Sequence, residues 1–141
     1  MNENDGFRPR FARRRGFSIS FLVGEASFEM FEAIRSDRSP LRMEAHCLRR
    51  LQGCPEVVGF FYEVDTAAQW LGVLELCAVE LWDVVRHCGC VAEEARWYGR
   101  RMAQAILVLH GHGIVHRDVK CENFMLTEGQ EVKLIDFGTL P

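Results

Sequence analysis

Lysine is nearly absent from this chain. Among its 141 residues only Lys120 and Lys133 carry an ammonium group, against 15 arginines, and none precedes Lys120. Arginine is no simple substitute where a compact ammonium is needed, because its guanidinium is planar, bulky and forked. Long apolar runs are missing too. No stretch approaches the roughly 20 residues needed to cross a bilayer, so no membrane-spanning helix is expected. The opening residues include Glu3 and Asp5 and are followed by no apolar core segment, which argues against a secretory leader. Metal-ligand spacing is also lacking. His87-Cys88-Gly89-Cys90 is the one local cluster, and no second Cys or His pair accompanies it as a structural zinc site requires. The 6 cysteines are scattered and read as free thiols of a reducing compartment, cytoplasmic or nuclear. There is no internal repeat and no low-complexity segment.

What is present suits one ordinary globular unit. Hydrophobic residues make up 48% and charged residues 26%, which allows a real core, and a net charge of −3 gives no general preference for nucleic acid or membrane. Charge is uneven at the start, where Arg8, Arg10, Arg13, Arg14 and Arg15 crowd together. Such a run can serve nuclear import or polyanion binding, but solvated tails produce it more often, so residues 1–16 are read as a disordered tail.

Beyond that tail, Phe17 to Val23 has the alternation of a strand, Gly24 to Phe28 reads as a turn, and Glu29 to Ile34 as a second strand. Ser39 offers a helix N-cap and Pro40 suits the first helical position. The helix would bury Met43, Cys47, Leu48 and Leu51 and stop at Gly53 and Pro55. Val57–Val64 and Trp70–Leu76 are expected to form a hairpin through Asp65-Thr-Ala-Ala. Leu81, Val84, Val85 and Cys88 mark a short helix closed by Gly89. Glu93 to His110 is the longest helix, with an apolar face of Tyr98, Met102, Ala105, Ile106 and Leu109. Glu93 and Glu94 complement the positive end of its dipole. Phe124–Leu126 and Val132–Ile135 bracket a second, smaller hairpin.

Two strings then carry chemistry. Residues 114–123 read Ile-Val-His-Arg-Asp-Val-Lys-Cys-Glu-Asn, and Asp136-Phe137-Gly138 follows the small hairpin. Singly, an Asp or Asn in a loop is usually a turn former, and an isolated His or Phe is usually packed in the core. Jointly, H-R-D-x-K-x-x-N followed by D-F-G resembles the catalytic loop and metal-binding motif of the protein kinase family. The resemblance covers about residues 17–138 and is strongest over 93–138. It implies an α+β, two-lobed fold: a small lobe and hinge over 17–77 and a partial large lobe over 78–141. Glu44, with Leu48 four residues on, resembles the regulatory helix. Leu74-Glu75-Leu76-Cys77 resembles the gatekeeper and hinge.

By the same resemblance, ATP and Mg2+ are the implied cofactors and protein serine or threonine hydroxyls the implied acceptors, with no membrane or nucleic-acid partner. Asp118 would be the base, and Lys120 would point its ammonium at the transferring phosphoryl group, as in the serine/threonine class. Asn123 and Asp136 would hold the metal. Nucleotide contacts would fall on Val23, Gly24, Ser27, Phe28, Glu75, Cys77 and Met125. Phosphoryl transfer asks a protein chiefly for such positioning and charge neutralisation.

The small lobe departs from the family pattern. Gly24 to Phe31 can be set on G-x-G-x-x-G-x-V, but only the first glycine survives, with Ala26 and Glu29 in place of the others. Only thirteen positions then separate Phe31 from Glu44, too few for the strand that carries the family's lysine. A rival register sets Ala33-Ile34-Arg35 on A-I-K with arginine substituted. Both registers deprive Glu44 of its lysine partner. At the other end, Thr139-Leu140-Pro141 stands where the activation segment would begin, so the large lobe is expected to be incomplete. Three readings stay open: an incomplete serine/threonine kinase domain, a non-catalytic kinase-like interaction module, and a remnant without function.

Overall fold

A computed structural model describes residues 17–23, 26–33, 39–65 and 70–137, with side chains over 42–65 and 72–137. The arginine-rich segment, Gly24, Arg35, the 66–69 connection and the residues after Phe137 lie outside the described residues.

Among the described residues, two antiparallel sheets and three α-helices make the fold. Strands β1 (Phe17–Val23), β2 (Ala26–Ala33), β3 (Phe60–Asp65) and β4 (Trp70–Glu75) form one sheet in the order β1-β2-β4-β3. Helix α1 (Ser39–Arg50) connects β2 to β3. The second sheet contains β5 (Val79–Glu80), β6 (Phe124–Leu126) and β7 (Val132–Leu134), with β6 central. Helices α2 (Leu81–Cys88) and α3 (Ala92–Gly111) lie between β5 and β6 in the chain.

The first sheet differs from the sequence reading at its turn. Ala26, Ser27 and Phe28 are strand, paired with Val23, Leu22 and Phe21, so the connection is far tighter than the five residues expected. β2 then pairs directly with β4, from Phe28↔Glu75 to Ala33↔Trp70. Only residues 34–38 separate β2 from α1. No lysine occurs in that stretch, and β2 is followed in the sheet directly by β4.

Val57 and Val58 are not part of the β3–β4 hairpin either. They turn to the other sheet, where Val57 forms a parallel bridge with Leu134 and the Val58 N–H donates to the Leu134 carbonyl at 3.1 Å. β3 proper begins at Phe60, with a bulge before Tyr62, and β4 ends at Glu75 rather than Leu76. The bridge ties the two sheets into one core. Leu48 of α1, Leu51 just after it, Phe60, Leu74, Leu81, Leu109, Phe124, Leu134 and Phe137 pack within it. Burying each large apolar side chain stabilises by about 1.5–3 kcal/mol, so this cluster is the main support of the fold.

Helix faces follow the periodicity with two corrections. On α1, Cys47, Leu48 and Leu51 are buried as expected, but Met43 is exposed, and Ala45 takes the inward position. On α3, Ala105 and Leu109 are buried while Tyr98, Met102 and Ile106 pack at the rim. The wet apolar residue is Leu107, 69% exposed, two positions from a fully buried Leu109. Glu94 closes the start of α3 by accepting the Val91 N–H at 3.1 Å. α2 ends at Gly89, whose φ of +72° suits glycine.

Candidate active site

The catalytic-loop residues are delivered by the end of α3. Gly113, at φ +70°, turns the chain, and the Ile114 N–H bonds the Leu109 carbonyl at 3.0 Å as Ile114 enters the core. The next residues run without regular structure as far as a single 3-10 turn, Cys121–Asn123, closed by the Asn123 N–H on the Lys120 carbonyl at 3.0 Å. β6 and β7 then fold back. The Ile135 N–H donates to the Asn123 carbonyl at 2.9 Å, which places Asp136 beside the loop carrying Asp118.

His116 makes the second connection. It is almost fully buried, its Nε2 lies 2.9 Å from the Ile135 carbonyl, and the Asp118 N–H donates to its Nδ1 at 3.3 Å. A carbonyl only accepts and an N–H only donates, so the ring is the neutral Nε2–H tautomer. Its edge meets Phe137, centroids 5.3 Å apart. One imidazole therefore bonds both motifs and holds them together.

Around Asp118 the polar groups converge. The Lys120 Nζ lies 2.7 Å from Asp118 Oδ2, and Asn123 Nδ2 donates to the Asp118 carbonyl at 2.7 Å and to Oδ2 at 3.1 Å. The Lys120 bond, then the Asn123 bond, hold the Asp118 carboxyl below its usual pKa, so it stays an anion and an acceptor. Lys120 thus sits on the Asp118 carboxylate, whereas the resemblance aimed its ammonium at the transferring phosphoryl group. Asn123 is buried, and with its amide nitrogen committed to Asp118 its carbonyl oxygen is the group left to face a cation. Asp136 has a positive φ of 64° and Arg117 one of 69°, a backbone shape that costs non-glycine residues energy and recurs at functional sites. With Asn123 and Asp136 as donors the set is all oxygen, which fits a hard cation such as Mg2+.

Glu44 reaches the same place from α1. Its Oε1 accepts the Phe137 N–H at 3.2 Å. Burial pushes its carboxyl up to about 7, the Phe137 bond opposes that, and nearby Asp136 adds to it. Among the described residues no cation pairs with Glu44. Lys133 does not fill the lysine's place. It is buried on β7 with Nζ 3.5 Å from Glu75 Oε1 and 3.5 Å from Glu131 Oε2. Sequence reasoning missed this arrangement; the signal was a lysine flanked by Val132 and Leu134 in a strand too short to leave either face wet.

The implied nucleotide contacts are brought together only in part. Phe28 lies opposite Glu75 across β2 and β4, and Met125 pairs with Glu80 and Lys133 in the second sheet. The Glu75 carboxylate is occupied by Lys133 and by the Gly59 N–H at 3.0 Å, so a nucleotide contact from Glu75 would use its main chain. Cys77 is buried beside it in the chain. Val23, Ser27 and Phe28 are placed by their backbones alone, and Gly24 is outside the described residues. A cavity of about 320 Å³ lies elsewhere, between the end of α1 and residues 57–61, and includes none of these site residues.

Residues 29–140 match the protein kinase domain family. The chain belongs to that family, and its α+β architecture is a fragment of a kinase fold. It is 29% identical over 124 residues to the mouse phosphorylase b kinase gamma catalytic chain, liver/testis isoform, covering 86% of this chain and 30% of that protein. It is 36% identical over 101 residues to a probable cAMP-dependent protein kinase catalytic subunit of Encephalitozoon cuniculi, 70% of this chain and 31% of that one. Similarity to the human Nik-related protein kinase is 34% over 113 residues, 72% of this chain and 7% of the relative. The chain spans less than a third of the length of these relatives.

Proposed function

We propose that the polypeptide to which this chain belongs transfers the ATP γ-phosphoryl group to serine or threonine hydroxyls of proteins. The observation supporting it is the convergence on Asp118: Lys120 and Asn123 bind its carboxylate, while Asn123 and His116 bind the main chain beside Asp136. Asp118 would accept or orient the acceptor proton, a contribution of about 10²–10⁴ in rate. Lys120 would share its charge with the transferring group, and the oxygens of Asn123 and Asp136 would hold Mg2+, which supplies charge neutralisation on the phosphates. The free cysteines suit a cytoplasmic or nuclear setting. Phosphorylation of a mixed serine/threonine peptide library by the full-length polypeptide tests the proposal. Activity lost in Asp118→Asn supports it; activity indifferent to that change, or none in the wild type, sinks it.

One observation favours a second reading. Glu44 faces Phe137 without a cation among the described residues, so the phosphates lack the lysine that it would orient. In that reading the site binds Mg-ATP weakly and serves as a non-catalytic interaction module. Measurable Mg-ATP binding with no phosphate transfer would distinguish it from the first.

A further inference from the structure

The Cys88-Gly89-Cys90 segment takes no part in the site described above. It joins α2 to α3: Cys88 is the last residue of α2, and α3 begins at Ala92. Residues two positions apart, as Cys88 and Cys90 are, have Cα atoms no more than about 7 Å apart, close to the range a disulfide spans. Cys88 is exposed and Cys90 partly so, whereas Cys47 and Cys77 are buried in the core. The linker is free to adjust. Gly89 has a φ of +72° with open space where a side chain would stand, and neither Gly89 nor Cys90 belongs to a helix or strand. The Cys90 thiol makes only a weak 3.7 Å contact to the Val91 carbonyl. Both thiols lie near one phenol: Cys90 and Cys88, after burial and Glu94, raise the Tyr98 pKa. The cluster is thus two accessible thiols joined by a glycine, with no histidine or carboxylate completing a metal site among the described residues.

We infer that Cys88 and Cys90 form a reversible dithiol site that closes to an intramolecular disulfide on reaction with small disulfides of the glutathione type. The Cys88 thiolate attacks one sulfur of the small disulfide, forming a mixed disulfide and expelling one thiolate. The Cys90 thiolate then attacks the Cys88 sulfur, forming the Cys88–Cys90 bond and expelling the second thiolate. Two cysteines are oxidised, one disulfide is reduced to two thiols, and the two cysteine protons pass to solvent or to the thiolates. A ring closed over one residue is strained, and strained, exposed disulfides are the labile ones, so dithiothreitol should reopen it readily.

The test is intact-mass and peptide analysis of the native 141-residue chain after treatment with oxidised glutathione. The expected product is lighter by two hydrogens, without adduct, with Cys88 and Cys90 linked and Cys47 and Cys77 still free. Cys90→Ser should halt at a glutathione adduct on Cys88, and Cys88→Ser should abolish the fast reaction. A stable adduct on Cys88 in the wild type, a linkage to any other cysteine, or no reaction at either residue would overturn the inference.

Discussion

The Glu44 carboxylate accepts the Phe137 backbone N–H at 3.2 Å, a bond joining residues 93 positions apart. It couples α1 directly to the Asp136-Phe137 segment. Without a neighbouring cation among the described residues, burial dominates the carboxyl, and its pKa rises to about 7 from 4.5.

That shift makes stability depend on pH with a defined sign. The folded state holds the Glu44 proton more tightly than the unfolded chain, so stability from this group is greatest below about 4.5, falls as pH rises to about 7, and is level above. The full loss is on the order of 3 kcal/mol. Glu44→Gln retains an acceptor for Phe137 and should remove the decline. Urea unfolding at pH 5, 6 and 8 checks this: equal slopes in wild type and variant would contradict it.

Mg-ATP should bind this chain weakly, because the oxygen donors are present while no lysine stands by Glu44. One lost charge-assisted contact is worth about 1.5–3 kcal/mol, roughly ten- to a hundredfold in affinity. Calorimetry should show binding only at high micromolar to millimolar nucleotide, absent in Asp136→Ala. Submicromolar binding, or an Asp136→Ala variant that binds equally well, would count against the assignment.

Lys133 and Glu75 should be unequal partners. Glu75→Gln leaves a buried ammonium with one exposed partner, Glu131, while Lys133→Met leaves a carboxylate still bonded to Gly59. The first change should destabilise by about 2–3 kcal/mol, near the upper end for charged hydrogen bonds, and the second by less. Thermal or chemical unfolding of both single variants and the double variant measures the order and the coupling; additive effects would mean the pair does not interact.

Leu107 on α3, 69% exposed, is an apolar side chain that association would remove from water. Leu107→Glu should lower self-association in sedimentation experiments while leaving the unfolding midpoint nearly unchanged, because Leu107 contributes little to the core. Leu109→Ala, at a fully buried position, should instead cost about 2–5 kcal/mol. The reverse pattern would show that the helix face is misplaced.

Much of this was legible in local patterns. The three helices follow their apolar spacing, and the β6–β7 hairpin follows from Thr127-Glu-Gly-Gln between two β-rich triplets. The residues around Asp118 were identified by type and spacing, and the chain brings Asp118, Lys120 and Asn123 together through contacts at most five positions long. What escaped depends on long-range partners. β5 is only two residues and exists because β6 offers it an edge. Val57 and Val58 look like the start of a hairpin strand, yet the free edge they meet belongs to Leu134. Ala26 to Phe28 read locally as a turn after Gly24, and their strand pairing depends on the partners Val23, Leu22 and Phe21. Leu107 and Leu109 could not be ranked by periodicity alone, since neighbouring elements decide which side of α3 is covered.

Two of the bonds that reach the Ile135–Phe137 segment differ greatly in the length of chain they close. Ile135 joins Asn123 across twelve positions, within a hairpin, while Phe137 joins Glu44 across 93. By loop-closure entropy the longer connection costs about 2 kcal/mol more to form. Assembly is therefore expected to be ordered in time: the Asp118–Asn123 contacts and the Asn123–Ile135 bond form locally, and α1 docks onto them afterwards. Destabilising α1 at Glu44 should then act chiefly on how fast the folded chain opens, leaving the rate at which residues 118–135 first gather almost untouched.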